Sequence, residues 1–546
     1  MLQFEITNPG MKLQCLTQNI LVGLLFLCLW ARPVHGKVYA TDIRLNGSLS
    51  QPVIFLPSNS VTISYILNQT ATLGVSVQIY SGTNVIKTLS SANEDAGTNA
   101  GLNSAIWDGT TDNTSNLTER VYTVSITASA TGYSDWTPIT DDGPNFSVPV
   151  PRGIAVNQNT NSPYYGRVFV ANAFTPFGIF KYNADGSTND DGAFSSGGLT
   201  WGFSQKVSPW KMAISADDKV YIDDFSGDGI VYAFDQTIAT NGYVIAVGTN
   251  NYPTQDTDPQ LSGLAVTGSG ANTQIWMADY NTAGSAGIIR WAAPVNGVAA
   301  ANDTGTVVVQ TSPDFLSESP YDISLDTNGY IYTIQFLTTE DPAYALMRFS
   351  PYVGEPETIP NWAIDMYPMM LAAYGLVADP TATDVAVAVL GSEASDPEQD
   401  TTGGLYLYSA TNGDFVADLD KTGGHAYYDV AWDNVGNLYA LDGTAEVWRA
   451  YSPPGTNQAT TVAVPIIQYY NAILQPNLSN PTTNTGGFCF TLAGQSNVTY
   501  VVQRSCDLSL SNWTNVVINF STNANRCICV PMGGTQDFYR ARTTAP

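Results

Sequence analysis

Chemistry in this sequence has to be built from oxygen, because imidazole is nearly absent. There are two histidines in 546 residues, His35 and His425. A histidine-ligated zinc site or a Ser-His-Asp triad needs at least one positioned imidazole plus its partners. His425 follows Gly423-Gly424 and reads as a turn residue at a surface. The oxygen-bearing side chains are better organised. Asn172, Asp224, Asp279, Gln335 and Asp442 each end a short apolar run at an equivalent place in a repeating pattern, and Val389 breaks the series. Five such groups around one ring can converge on a ligand or on Ca²⁺, which prefers oxygen donors; the alternative is that each locks the turn of its own unit, as Asx side chains commonly do. Two acidic turns are further candidates for Ca²⁺: residues 183–191, with Asp185, Asp190 and Asp191, and residues 223–229, with Asp228. Neither has the spacing or terminal Glu of an EF-hand. Trp201, Trp210, Trp291 and Trp362 lie near predicted loops, where an indole can stack on a sugar or simply fill a core.

The elements that must hold these residues repeat. An apolar-small-apolar triplet recurs as Ile154-Ala155-Val156, Met212-Ala213-Ile214, Leu264-Ala265-Val266, Ile323-Ser324-Leu325, Leu376-Val377-Ala378 and Val430-Ala431-Trp432. After each comes a second β-patterned run, of which Val220-Tyr221-Ile222 and Leu438-Tyr439-Ala440-Leu441 are typical, and then a third, often led by Gly, as in Gly178-Ile179-Phe180. Units of this size fit four-stranded propeller blades. One blade cannot bury both its faces, and six in a ring remove the exposed flanks together. The small middle residue of the triplet lets neighbouring blades approach near the axis.

Composition agrees. Charged residues make up only 12%, Gly numbers 47 and Tyr 30, and the expected class is all-β: an N-terminal Ig-like β-sandwich, a central six-bladed β-propeller and a small disulfide-containing C-terminal β-sandwich. Lys12 and the apolar run 20–30 read as an export signal over residues 1–36, too short for a membrane span, which needs about 20 residues. The sandwich is expected over 37–142, the propeller over 143–470, a linker over 471–485 and the last module over 486–546, with the apolar run 461–467 a candidate for the strand that closes the ring. Cys489, Cys506, Cys527 and Cys529 imply two disulfides in an exported module, with Cys527 and Cys529 each pairing to Cys489 or Cys506. Twenty Lys and Arg stand against 47 Asp and Glu, a balance that opposes nucleic acid and anionic membranes and suits cations, glycans or proteins outside the cell.

Three resemblances add to this. Around Trp107-Asp108-Gly109 and Val121-Tyr122, the first module resembles the Ig-like module of flagellar hook-capping (FlgD-like) proteins, which implies a sandwich with the Trp in its core. The repeats resemble NHL and SMP-30/gluconolactonase-like six-bladed propellers. The last module, through Tyr500-Val501-Val502 and Phe538-Tyr539-Arg540, resembles a C-terminal β-sandwich of exported bacterial proteins. Since propellers host enzymes and binding proteins alike, and no catalytic residue set is recognisable, the expectation is a secreted, non-catalytic binding or scaffold protein. The alternative is a Ca²⁺-dependent hydrolase or lyase of the SMP-30/gluconolactonase type.

Overall fold

The computed structural model describes residues 37–543 apart from short stretches, the longer ones being 92–96, 203–207, 254–258, 281–286, 336–343, 366–372, 391–402, 471–475, 507–512 and 532–536. The predicted export signal and Asp228 lie outside the described residues. The chain is all-β. Its centre consists of six four-stranded antiparallel sheets, the blades, whose inner strands are Pro151–Val156, Pro209–Ile214, Leu261–Thr267, Pro320–Leu325, Ala373–Ala378 and Tyr427–Trp432. Each inner strand packs on the next and the sixth packs on the first, so the ring is closed.

The repeated triplets end these inner strands, and their pattern explains the ring. Ile154 and Val156 pack with Tyr439 and Leu441 of the sixth blade. Ala155, on the opposite side of its strand, faces Met212, Val220 and Ile222 of the second. A period of two thus feeds both neighbours of a blade, and a small residue is needed where the next blade's Met212 arrives. Each of the six junctions between blades has such an apolar cluster. The turns use the expected chemistry: Asp326 Oδ1 accepts the Asn328 and Tyr330 amides at 2.8 and 3.0 Å, and Asp433 Oδ1 does the same for Val435 and Asn437.

The ring is closed by a strand from the other end of the chain. Thr137–Pro138, ahead of the first blade, pairs with Val447–Ser452 as the outer strand of the sixth. The run 461–467, expected to close the ring, serves the first sandwich instead: Gly455–Val462 and Ile467–Tyr469 both pair with Arg120–Tyr133. That long strand needs partners along its whole length, and alternate residues of Gly455–Val462 are buried in the resulting sheet. Across from this sheet stands a second one of Ala40–Leu45, Val61–Leu67 and Gly101–Trp107. Trp107 is fully buried between them, stacked on Phe55 at 5.0 Å with Tyr122 edge-on at 5.8 Å.

Part of the predicted linker is a strand as well. Asn477–Asn484 pairs with Gly487–Ala493, with an irregularity between Ser479 and Thr482 that accommodates Pro481, and Leu478 packs on the C-terminal core of Phe490, Tyr500, Val502 and Ile528. The two-disulfide expectation is corrected to one bond. Cys489 and Cys529 stand opposite each other on adjacent strands and are joined, whereas Cys527 faces Thr491 and Cys506 follows a strand of the other sheet; both are exposed free thiols.

Candidate functional site: the axial channel

The residues that end the second strands act first as clamps. Asn172, Asp224, Asp279, Gln335 and Asp442 are fully buried. In the first three blades, the side-chain oxygen accepts the amide of the residue just before the inner strand: Val150 to Asn172 at 2.8 Å, Ser208 to Asp224 at 2.6 Å and Gln260 to Asp279 at 3.2 Å. Asn172 also donates to the Phe174 and Pro176 carbonyls, and Gln335 to those of Phe315 and Tyr344. Asp442 accepts the Thr444 and Ala445 amides and meets Arg449 and His425 at 2.7 Å each, which gives His425 a structural partner. Because three buried hydrogen bonds converge on Asn172, Asn172→Ala should cost about 1–3 kcal/mol of stability, read as a lower urea midpoint at unchanged slope.

What the clamps position is an aromatic collar. The residues after two of them, Phe225 and Tyr280, turn toward the axis and join the second residues of five inner strands, Arg152, Trp210, Tyr321, Tyr374 and Tyr428. Trp210 stacks on Phe225 at 4.3 Å, and the chain of ring contacts continues through Tyr280 (6.2 Å), Tyr321 (5.1 Å), Tyr374 (4.6 Å) and Tyr428 (5.5 Å). The Arg152 guanidinium closes the circle, 4.1 Å from the Tyr428 ring and 5.1 Å from Trp210. Only the third blade lacks a large residue at this position; Ser262 stands there, and Tyr280 fills the space. Of the four tryptophans singled out in the sequence, Trp210 alone lies in the collar. Trp201 and Trp291 are core residues donating to the Ser196 and Asn251 carbonyls, and Trp362 donates to that of Ala410.

One residue further along the same strands, a charged bar crosses the channel. The third positions read Gly153, Lys211, Gly263, Asp322, Gly375 and Asp429, so glycine alternates with charge around the ring. The alternation is steric. A Cβ on Gly153 would stand 2.1 Å from the Trp210 carbonyl oxygen, one on Gly263 2.5 Å from the Asp322 Cα and one on Gly375 2.7 Å from the Asp429 Cα. The Lys211 ammonium donates to Asp429 Oδ1 at 2.6 Å, Asp322 Oδ2 at 3.0 Å and the Tyr374 carbonyl at 2.8 Å. Asp429 also accepts the Ile154 amide and Asp322 the Leu376 amide, which ties the sixth blade to the first and the fourth to the fifth. Burial pushes the Asp322 carboxyl up to about 7 despite the opposing charge of Lys211, and it raises Asp429 in the same way. Burial also works to lower Lys211, but the two carboxylates outweigh it and hold the ammonium above its ordinary value. Next to the bar, Asp223 accepts the Lys211 amide at 2.6 Å, and burial raises its carboxyl well above the usual range. Beyond the bar the channel widens into a cavity of about 870 Å³ walled by the apolar triplets, with Lys211, Asp322 and Asp429 on its surface.

The acidic turn proposed for Ca²⁺ is occupied by cations of the protein itself. Asp191 bridges Arg167 and Lys181 at 2.9 Å each, Asp190 pairs with Arg44, and Asp185 accepts the Ser187 amide and hydroxyl. Among the described residues, no group of three or more His, Cys, Asp or Glu could hold a metal ion.

No family model matches the chain, and no curated protein matches it. Solved structures do. A family AA12 carbohydrate-active enzyme of Trichoderma reesei, in its calcium form, is 12% identical over 60% of this chain and 97% of its own, with a TM-score of 0.38. The PQQ domain of pyranose dehydrogenase from Coprinopsis cinerea is 14% identical over 60% and 97%, at 0.34. The soluble aldose sugar dehydrogenase of Escherichia coli, in its apo form, is 9% identical over 58% and 98%, at 0.36. The expectation of a non-catalytic binding or scaffold protein is corrected at this point to this extent: the similar structures just named bear the names of sugar dehydrogenases and of a carbohydrate-active enzyme, and what this chain shares with them is the fold. With histidine nearly absent, the sequence offers no familiar acid-base set, and the acids of the bar do not stand out strand by strand.

Proposed function

We propose that this chain is an exported, carbohydrate-directed enzyme that takes a sugar at the aromatic collar and uses the carboxyl groups of the bar for proton transfer. The observation that carries this reading is the layering of the two. A closed circle of aromatic rings lies one residue from two buried carboxyls, Asp322, which burial raises to about 7, and Asp429, which it raises likewise, and perturbed acids in a channel are where proton chemistry concentrates. Aromatic faces pack on the C–H surfaces of sugar rings, and indole and phenol groups add polar contacts. The flanking sandwiches, which resemble spacer modules of exported proteins, would carry the propeller outside the cell. The net charge of −27 speaks against nucleic acid as a partner.

The test is a monosaccharide and oligosaccharide panel followed by intrinsic fluorescence and by product analysis. A sugar substrate should quench fluorescence saturably, and Trp210→Ala should weaken its binding about tenfold, which corresponds to ~1.4 kcal/mol. A panel in which no sugar binds or turns over removes the proposal. N-terminal sequencing of secreted material tests export and should find a start near Lys37.

A further inference from the structure

Within the reading just given, on which this inference rests, the collar has a chemical asymmetry. Six of its members are aromatic and one, Arg152, is a cation. Among the described residues, Arg152 makes no ion pair. Its Nη1 donates to the Pro151 carbonyl at 2.9 Å, and its Nε is buried without a hydrogen-bond partner. The adjoining Trp210 is 4% exposed, and its indole Nε1 is likewise without a partner. Two neighbouring donors are therefore left unsatisfied within the collar, in a chain with more than twice as many acids as bases. Lys211, Arg167 and Arg449 have carboxylate partners, whereas Arg290 and Arg348, on the blades, are stacked on aromatic rings with a buried unpartnered Nε as Arg152 is; of these three arginines Arg152 alone stands in the collar. Unmade hydrogen bonds of buried donors are costly, and a ligand that supplies acceptors recovers them.

We infer that the collar selects a sugar bearing a carboxylate, a hexuronate, whose ring packs on the half-buried members of the collar, Phe225, Tyr374 and Tyr428, while its carboxylate meets Arg152. A guanidinium presents a planar fork suited to a carboxylate, and stacking between Tyr428 and Trp210 fixes that plane without neutralising it. The protein's overall negative charge opposes an anion at long range, but at physiological salt it is screened beyond about 8 Å. Contact with Arg152 inside the collar then decides the outcome.

Titration of the full-length protein with glucuronate and galacturonate, with glucose and galactose, and with acetate as a bare carboxylate tests this, using fluorescence and calorimetry. The uronates should bind at least tenfold more tightly than their neutral parents. Arg152→Gln should bring the ratio of uronate to neutral-sugar affinity to about one, and Arg152→Lys, which keeps the charge but not the fork, should retain part of the advantage. Equal affinity for uronates and neutral sugars overturns the inference and leaves the collar a sugar site. Acetate binding as tightly as the uronates overturns it in favour of a simple anion site. Failure of every sugar overturns both the inference and the function it rests on. If Arg152→Gln unfolds, the wild-type comparison and Arg152→Lys decide.

Discussion

Asp322→Asn is expected to lower turnover of a sugar substrate by about 10²–10⁴-fold while leaving substrate affinity and the fold close to wild type. The two oxygens of Asp322 have different duties: Oδ1 accepts the amide of Ile323, and Oδ2 accepts both Lys211 and the Leu376 amide. Asparagine has one acceptor oxygen: placed where Oδ2 stands it keeps the Leu376 amide, and with it the link between the fourth and fifth blades, and gives up the bond from the Ile323 amide. What it cannot do is exchange a proton. A carboxyl held at about 7 is half ionised near neutrality, the condition in which one group can both take up and release a proton. The rate of the wild type should therefore change across pH 6–8, and that limb should vanish in the variant. Wild-type turnover by Asp322→Asn, with the pH limb intact, would show that the proton moves elsewhere, with Asp223 the next group to substitute.

The strands were legible and the axis was not, and the difference is one of range. Blade strands are declared by local alternation and local turns; the triplets 154–156 and 430–432 mark the ends of inner strands whichever other blades exist. The bar depends on contacts between Lys211 and residues 111 and 218 positions away. A lone Lys in an apolar strand reads as a solvated residue. Its signal was present, because residue three of the inner strands alternates Gly153, Lys211, Gly263, Asp322, Gly375, Asp429, but it appears only once the six strands are aligned at that register. The collar is one position earlier and equally visible in that alignment. The five polar residues that end the second strands are conspicuous in the sequence for a general reason: each closes an apolar run. Their first duty is toward their own blades, and their link to the site is indirect, through Phe225 and Tyr280. The closing strand was missed because Thr137–Pro138 has two residues and no pattern, whereas the run 461–467 alternates well and serves another sheet.

Removing the ammonium from the bar should be the most damaging single change in the propeller. Lys211→Met keeps the length of the side chain and leaves Asp322 and Asp429 facing each other in the channel without a cation. Breaking a buried ion pair by deleting one partner costs about 3–5 kcal/mol, and here two acids lose the same partner. The cost should depend on pH with a definite sign. Burial raises Asp322 to about 7 in the folded protein, against an ordinary value of 3.8, so the folded state binds protons more tightly than the unfolded chain. The stability that follows is complete at acid pH and is lost as pH rises toward and through 7. Asp433, also raised by burial to about 7 beneath the first sandwich, contributes with the same sign. Wild-type melting temperature should accordingly fall by several degrees between pH 5 and pH 8, and Asp433→Asn should flatten part of that slope. In Lys211→Met the opposing charge is gone, both carboxyls rise further, and the fall should be steeper than in the wild type. Adding Asp429→Asn to Lys211→Met should recover stability at pH 8 more than at pH 5, since it removes the acid that has become expensive to ionise. Urea midpoints at the two pH values measure this. Equal losses at both would mean that Lys211 stabilises the ring by packing and hydrogen bonding to the Tyr374 and Tyr428 carbonyls, with the carboxylates already neutral in the folded protein.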